Sequence, residues 1–224
     1  MTRRPSGERV SEPSTISGAI IVLAKQPSPG AVKTRLCPPC SPAQAAAVAE
    51  AALLDTLATV ASSGAARKVL VLEGQAGDWL PEGISVRHQR GQGLAERIAA
   101  AFADVGGPAL LIGMDTPQLT AEALDRALTI LGRPDVDAIL GCSEDGGYWA
   151  IGLTTARAAV FRDVPMSRAD TGARQRARLL ALGLRTVELP RLRDVDQIED
   201  ARAVAALIPH SRFAASVEAI TRAA

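Results

Sequence analysis

Two of the three lysines in this 224-residue chain, Lys25 and Lys33, fall in one stretch, Lys25-Gln-Pro-Ser-Pro-Gly-Ala-Val-Lys33-Thr-Arg35, while 22 arginines carry the rest of the positive charge. Phosphate groups need cationic donors, and arginine adds a planar two-pronged fit. Lys25, Lys33 and Arg35 are therefore candidate phosphate ligands, with a solvated basic loop as the plain alternative. The stretch has no Gly-x-Gly-x-x-Gly, which speaks against a dinucleotide cofactor. It has no glycine directly before Lys33-Thr34, so it is not a P-loop. Carboxylates form the second group. Asp115 stands in Gly113-Met-Asp-Thr-Pro117, and Asp194 and Asp196 flank Val195. Mg²⁺ usually keeps several waters and takes one or two carboxylates plus substrate phosphates. Asp115, Asp194 and Asp196 are thus candidate ligands for Mg²⁺ or Mn²⁺. Asp115 also suits a turn before proline, and Asp196 also suits a helix N-cap.

The run Glu144-Asp-Gly-Gly-Tyr-Trp149 holds the sole tyrosine and one of two tryptophans. Asp145 can bind sugar hydroxyls or act as a base. Gly146 and Gly147 permit close backbone approach to a ligand, and Tyr148 or Trp149 can stack on a ring. The plain alternative is a tight hairpin turn with core aromatics, and both can hold together. Gln89-Arg-Gly-Gln-Gly-Leu-Ala-Glu-Arg97 ends one strand and opens a helix, so Gln89, Arg97 and the helix N-terminus can face an anion; an ordinary loop explains them as well. Cys37-Pro-Pro-Cys40 has the spacing of half a zinc site, but no second pair completes it, so no structural zinc is expected.

These residues must be positioned by regular elements. Apolar runs predict strands over 19–24, 68–73, 84–88, 108–113, 136–141, 148–153 and 184–189. Helical periodicity predicts helices over 42–62, 93–105, 120–132, 170–182 and 197–207, with a weaker one near 211–222. Ser41, Pro42 and Gln44 form a capping box with proline at the first helical position, and Asp196 with Glu199 read the same way before the helix at 197. The alternation argues for an α/β fold, a mostly parallel twisted sheet with helices on both faces. Asp145-Gly146 before strand 148–153 marks a hairpin-like, small antiparallel addition. The Lys25–Arg35, Asp115, Glu144–Trp149 and Asp194–Asp196 clusters each follow the C-terminal end of a predicted strand, the edge at which open parallel sheets bind ligands.

Composition narrows the classes. Net charge is +1, against nucleic-acid binding. With 47% hydrophobic but 3% aromatic residues, the core must be aliphatic. Residues 1–18 are polar and read as a disordered tail, and 19–224 as one domain. The run at 19–24 is too short to span a membrane. Three cysteines make no disulfide framework, and a cytoplasmic protein is expected.

At these residues the chain resembles a bacterial family of glycosyltransferase-A-type proteins associated with radical-SAM/selenodomain proteins, similar to 2-phospholactate guanylyltransferase. The resemblance covers roughly residues 19–207. It rests on Ala24–Leu36, Gly93-Leu-Ala-Glu-Arg97, Gly113-Met-Asp-Thr-Pro-Gln-Leu119, Glu144-Asp-Gly-Gly-Tyr148 and Asp194-Val-Asp196. It implies a Rossmann-like nucleotide-diphospho-sugar transferase fold, a bound nucleotide, and a divalent metal on Asp115. Family members tend to carry Trp-Ser-Thr where this chain has Met166-Ser167-Arg168, which implies a different acceptor or altered activity if that segment lines the acceptor site. The Cys37/Cys40 pair also departs from the family.

Three functions follow as expectations. The first is a metal-dependent glycosyltransferase using a nucleotide-sugar donor and a small acceptor. Lys25, Lys33, Arg35, Gln89 and Arg97 would bind nucleotide and phosphate, and Asp115 and Asp145 would serve catalysis. Asp145, Gly146, Gly147 and Tyr148 would face acceptor or sugar. The second is a nucleotidyltransferase releasing pyrophosphate, and the third a nucleotide-binding protein without turnover. Base, sugar, acceptor and oligomeric state are not written in the sequence.

Overall fold

The computed structural model describes residues 15–223. Most of the expected tail, residues 1–14, lies outside the described residues. Its far end does not: the first strand, β1 (Ile16–Lys25), starts within the span read as tail. Ile16 pairs with Ala65, and the register shifts before Ala19. A two-residue polar interruption, Ser17-Gly18, hid this start from a reading based on apolar runs.

The remaining strands are β2 (Ala65–Glu73), β3 (Ser85–His88), β4 (Ala109–Ile112), β5 (Ala138–Ser143), β6 (Tyr148–Leu153) and β7 (Thr186–Leu192). They form one sheet of order β3-β2-β1-β4-β6-β5-β7. β6 is antiparallel to both β4 and β5, and every other pairing is parallel. The antiparallel addition is therefore inside the sheet and not on its edge. The described residues form six helices: α1 (Pro42–Ser62), α2 (Gly93–Val105), α3 (Ala121–Leu131) and α4 (Thr171–Ala181) against the sheet, with α5 (Ile198–Leu207) and α6 (Arg212–Ala223) packed on α1.

Side-chain alternation along the strands separates two cores. On one face Ile20, Val22, Leu70, Leu110 and Ile112 meet Leu53 and Leu57 of α1 and Leu124 and Leu128 of α3. On the other, Ile21, Val69, Leu111 and Ile151 meet Ile98 and Phe102 of α2 and Leu179 of α4. A third core joins the outer side of α1 (Ala45, Val48, Ala52) to Val204 of α5 and Phe213 and Val217 of α6. α1 is buried on two sides, which explains its apolar composition. By length and composition it would pass for a membrane span, yet its apolar side chains are committed to these two cores.

Ser41 caps α1 as its sequence predicts, accepting from Gln44 N at 3.2 Å while Gln44 Oε1 accepts from Ser41 N at 2.8 Å. The cap of α5 is displaced by one residue from the expected Asp196. Gln197 is the N-cap, and Asp200 accepts from its backbone N–H at 3.0 Å. Asp196 is thereby left free for another partner.

Asp137, just before β5, ties the starts of the neighbouring strands β5 and β7. Its carboxylate accepts from Arg185 N (2.9 Å), Nε (2.8 Å) and Nη2 (3.0 Å), beside the start of β7. The Arg185 guanidinium, then its backbone N–H, hold the Asp137 carboxyl well below the usual carboxylate range. A depressed native pKa gives stability that is complete above the unfolded value of about 3.9 and is lost as pH falls through the native one. Asp137→Asn is expected to melt below wild type at pH 7, with the gap shrinking steadily below about pH 4. Thermal melts of both proteins across acidic pH check this; a constant gap would show that the charge is not what stabilises.

Candidate active site

The parallel strands β1, β2, β4, β5 and β7 all end at one sheet edge, and the turn between β5 and β6 lies there too. Two adjoining compartments open at this edge. The outer one, about 560 Å³, is lined by Lys25, Lys33, Arg35, Gln89 and Arg97 with Gly93 at the start of α2. The inner one, about 510 Å³, is lined by Asp145, Gly147, Tyr148, Asp194, Met166 and Arg168. Asp115, Arg35, Asp196, Leu23, Leu94, Met114 and Ser167 border both. The four clusters that the sequence placed after strand ends thus meet around one cleft, with Asp115 where the compartments join.

Lys33 is not the solvated loop residue that a basic loop would suggest. Its side chain is 8% exposed, and its backbone is left-handed, at φ +49°. Its Nζ lies 2.5 Å from Asp115 Oδ1 and also donates to the Val195 carbonyl. Val195 N in turn donates to the Asp115 carbonyl at 2.9 Å. Three loops, after β1, β4 and β7, are tied at this point. Arg35, in the 3-10 turn Thr34–Leu36, reaches Asp196 Oδ2 at 2.6 Å. Asp196 therefore spends its carboxylate on a cation, while Asp115 remains half-exposed.

At the other end of the outer compartment Glu73 gathers Lys25 (3.4 Å) and Arg97. Gln89 is locked in place: its Nε2 donates to the carbonyls of Ala24 (2.7 Å) and Val71 (3.2 Å), and its Oε1 accepts from Arg97 (3.4 Å). It braces the end of β1 and Arg97.

In the inner compartment, burial first, then the neighbouring charges of Asp145 and Asp115, push the Asp194 carboxyl up to about 6. Asp145 also shapes its own turn, accepting from Gly147 N at 2.8 Å. The aromatic residues do not stack on the cavity as a free face. Trp149 is buried and donates from Nε1 to the Pro190 carbonyl at 3.1 Å. The Tyr148 hydroxyl donates to Met166 Sδ at 3.6 Å, and burial pushes its pKa up. The close backbone approach that Gly146 permits is to protein: at φ +92°, a Cβ there would run into the carbonyl oxygen of Ala169. Gly172 N donates to the Gly146 carbonyl at 2.8 Å, docking the turn on the start of α4.

Residues 46–168 match a family described as uncharacterised proteins conserved in bacteria, DUF2064. The chain belongs to this family. No curated protein matches it in sequence. Among solved structures it is similar to a candidate nucleotide-diphospho-sugar transferase from Desulfovibrio desulfuricans G20, at 26% identity and TM-score 0.81, over 93% of this chain and 97% of that one. A cytidylyltransferase from Leptospira borgpetersenii shares the fold at 15% identity and TM-score 0.53, over 93% and 94% of the two chains. So does 2-C-methyl-D-erythritol 4-phosphate cytidylyltransferase from Thermus thermophilus, at 15% and 0.52, over 86% and 99%. The α/β architecture of this DUF2064 chain is thus that of nucleotide-diphospho-sugar transferases.

Its donor set can be tested against a divalent cation. Among the described residues no three Asp, Glu, His or Cys side chains form a ready-made coordination cluster. Asp115, Asp145 and Asp194 line the inner compartment, and Mg²⁺ takes one or two such carboxylates with water and ligand phosphate. Cys37 and Cys40 stand apart from this set, and Cys40 packs into the third core.

Sequence reasoning missed Glu73, although it directly pairs with Lys25 in the β1–β2 register. An acidic residue at a strand end opposite a lysine was the available signal. It also missed the aliphatic ledge of Leu23, Leu94 and Met114, because single apolar residues beside a cleft have no pattern.

The Gly146 contact supplies a test. Gly146→Ala is expected to cost at least about 2 kcal/mol, from the left-handed backbone and the collision with Ala169. In a chain of this size that lowers the melting temperature by roughly 4–8 °C. Gly132→Ala, where φ is negative and nothing lies closer than 3.5 Å, is expected to be nearly neutral. Equal effects at both positions would remove the structural role assigned to Gly146.

Proposed function

We propose that this protein is a metal-dependent glycosyltransferase that uses a nucleotide-sugar donor and a small acceptor in the cytoplasm. The observation that carries the reading is the division of one cleft into a cation-lined and an acid-lined compartment meeting at Asp115. The resemblance in fold and sequence to a candidate nucleotide-diphospho-sugar transferase supports it.

In this reading Lys25, Lys33, Arg35 and Arg97 take the diphosphate, and the ledge of Leu23, Leu94 and Met114 supports the remainder of the donor. Asp115 and Asp194 would hold Mg²⁺ or Mn²⁺, whose charge would neutralise the leaving nucleoside diphosphate. The acceptor lies between Asp145 and Met166–Arg168, with Gly147 and Tyr148 at its side. Its hydroxyl oxygen bonds to the anomeric carbon, and the bond from that carbon to the diphosphate breaks. The acceptor proton passes to the Asp145 carboxylate, and the nucleoside diphosphate departs with the bonding electrons. Lys33 and Arg35 stabilise the charge that develops on it.

A second reading is kept for one reason. Four cations around the outer compartment are enough for a triphosphate as well as a diphosphate. On that reading the reaction is nucleotidyl transfer and the product is pyrophosphate, as in guanylyltransferase-like enzymes.

A thermal-shift screen of nucleoside triphosphates, nucleoside diphosphates and nucleotide-sugars, with and without Mg²⁺ or Mn²⁺, tests the binding. A ligand at 100 times its dissociation constant raises stability by about 2.7 kcal/mol. The product then separates the chemistries: free nucleoside diphosphate for sugar transfer, pyrophosphate for nucleotidyl transfer. Binding without either product would make the protein a nucleotide-binding protein only. No stabilisation by any nucleotide would remove the functional reading.

Asp145→Asn keeps the oxygen that accepts from Gly147, so the turn should survive. Because Asp145 lines the inner compartment alone, the variant is expected to lower kcat by about 10²–10⁴-fold with donor affinity little changed. Steady-state kinetics beside donor titration checks this. A variant with wild-type kcat would exclude Asp145 as the base.

A further inference from the structure

Cys37-Pro-Pro-Cys40 takes no part in the proposed function, yet it stands between the cleft and α1. Arg35, paired with Asp196, comes two residues before Cys37, and Ser41, the cap of α1, follows Cys40. Two backbone hydrogen bonds fold the motif into a turn: Cys37 N donates to the Thr34 carbonyl at 3.1 Å and Cys40 N to the Leu36 carbonyl at 3.0 Å. The Leu36 carbonyl and the Cys37 nitrogen belong to one peptide group, so the second bond brings the backbone of Cys40 up to that of Cys37. Both side chains then pack on the third core, Cys40 within it and Cys37 against it.

The two thiols differ in access. Cys40 is 4% exposed, and Cys37 is partly exposed. Burial first, then the charge of Cys37, push the Cys40 thiol up, with Arg202 of α5 acting in the opposite sense. Cys37 is felt at Cys40 because the two sulfurs are near neighbours. A reagent from solution therefore meets Cys37 first, with Cys40 behind it. The two prolines between them lock φ, so little chain freedom is left to lose when the sulfurs join. Two thiols with no second ligand pair do not close a zinc site, but they are complete for a disulfide.

We propose that Cys37 and Cys40 form a reversible dithiol site, oxidised to an intramolecular disulfide by low-molecular-weight disulfides. The Cys37 thiolate attacks one sulfur of such a disulfide, whose S–S bond breaks. One small thiol departs with the electron pair and takes up the proton that Cys37 gave. Cys40 then loses its proton and attacks Cys37 Sγ. The bond from Cys37 to the remaining small thiol breaks, and that thiol leaves protonated. Two protein thiols are oxidised, and one small disulfide is reduced to two thiols. The closed pair constrains the link between Arg35 and Ser41. The site is independent of the nucleotide reading above and stands whether or not that reading holds.

Mass spectrometry of the folded full chain after exposure to oxidised glutathione tests it, with peptide mapping to keep Cys142 apart. The peptide that holds both Cys37 and Cys40 is expected to lose two hydrogen atoms, to carry no glutathione, and to be restored by dithiothreitol. Cys40→Ala removes the resolving thiol, and its Cys37 is expected to keep one glutathione. Cys37→Ala leaves the buried thiol alone, and Cys40 is then expected to react at least about 10-fold more slowly than Cys37 does in Cys40→Ala. Thermal melts establish that each variant is folded. Phenylarsine oxide, which bridges two thiols within reach, needs no substitution: wild type is expected to bind one at this peptide and to release it to a dithiol. Wild type whose Cys37 holds glutathione stably, or whose two thiols both stay free, overturns the proposal. So does wild type that takes up no phenylarsine at this peptide, and so does a folded Cys37→Ala whose Cys40 reacts as fast as Cys37 in Cys40→Ala.

Discussion

The ammonium of Lys33 is buried, and a buried cation must be fully partnered. That requirement organises the cleft. Its partners, the Asp115 carboxylate and the Val195 carbonyl, belong to loops that follow β4 and β7, while Lys33 itself follows β1. The tie is reinforced from behind. Leu36, three residues after Lys33, packs in the same core as Val195 and Ile198. The loop after β1 and the loop before α5 are thus held together both by charge at the cleft and by apolar contact beneath it. Neither loop can shift without exposing Leu36 or stranding the ammonium.

The reversed strand β6 has a related consequence. A parallel sheet brings one loop per strand to its ligand edge. Because β5 ends and β6 begins at that edge, the turn between them adds a second kind of element, a tight hairpin, without a crossover helix. Asp145 sits in that turn. Its placement is rigid because Gly146 and Gly172 let the turn lie directly on the start of α4. That edge thereby gains a carboxylate whose position depends on backbone contacts and not on a flexible loop.

How much of this could be read from the chain depends on the range of the interaction. α1 and α2 were legible to the residue, since Ser41, Pro42 and Gln44 act within one turn and the apolar spacing of α2 is local. All seven strands were legible as apolar runs, and the β5–β6 hairpin from Asp145-Gly146. Their neighbours were not. Nothing in 148–153 says that it lies between β4 and β5, because strand order is settled by packing over the whole sheet. The cap of α5 fell one residue away from Asp196, the better N-cap by type, because Arg35 holds the Asp196 carboxylate from 161 positions away. The same limit applies to Lys33. A lysine among prolines and glycine reads as solvated, and its burial is set by Val195, 162 positions later. The chemistry-bearing residue types were visible; their mutual pairing was not.

The cleft also separates what the fold supplies from what this chain adds. The cationic groups of the cleft stand on strand ends and short loops that the sheet positions. The far wall, Met166-Ser167-Arg168, has its own support. Thr171, almost fully buried, accepts from Arg168 N at 3.0 Å and donates to the Pro165 carbonyl at 2.9 Å, clamping the segment at both ends. Ser167 is held at φ +58°, a conformation that costs of order 1 kcal/mol and persists because its surroundings fix it. The backbone path of the wall is therefore set by Thr171 and not by the side chains that face the cavity. Residues 166–168 can change identity while the wall keeps its course. On the proposed function, discrimination between acceptors is then a matter of which side chains this fixed segment presents, here a thioether, a hydroxyl and a guanidinium, opposite carboxylates that Lys33 and the β5–β6 turn hold in place.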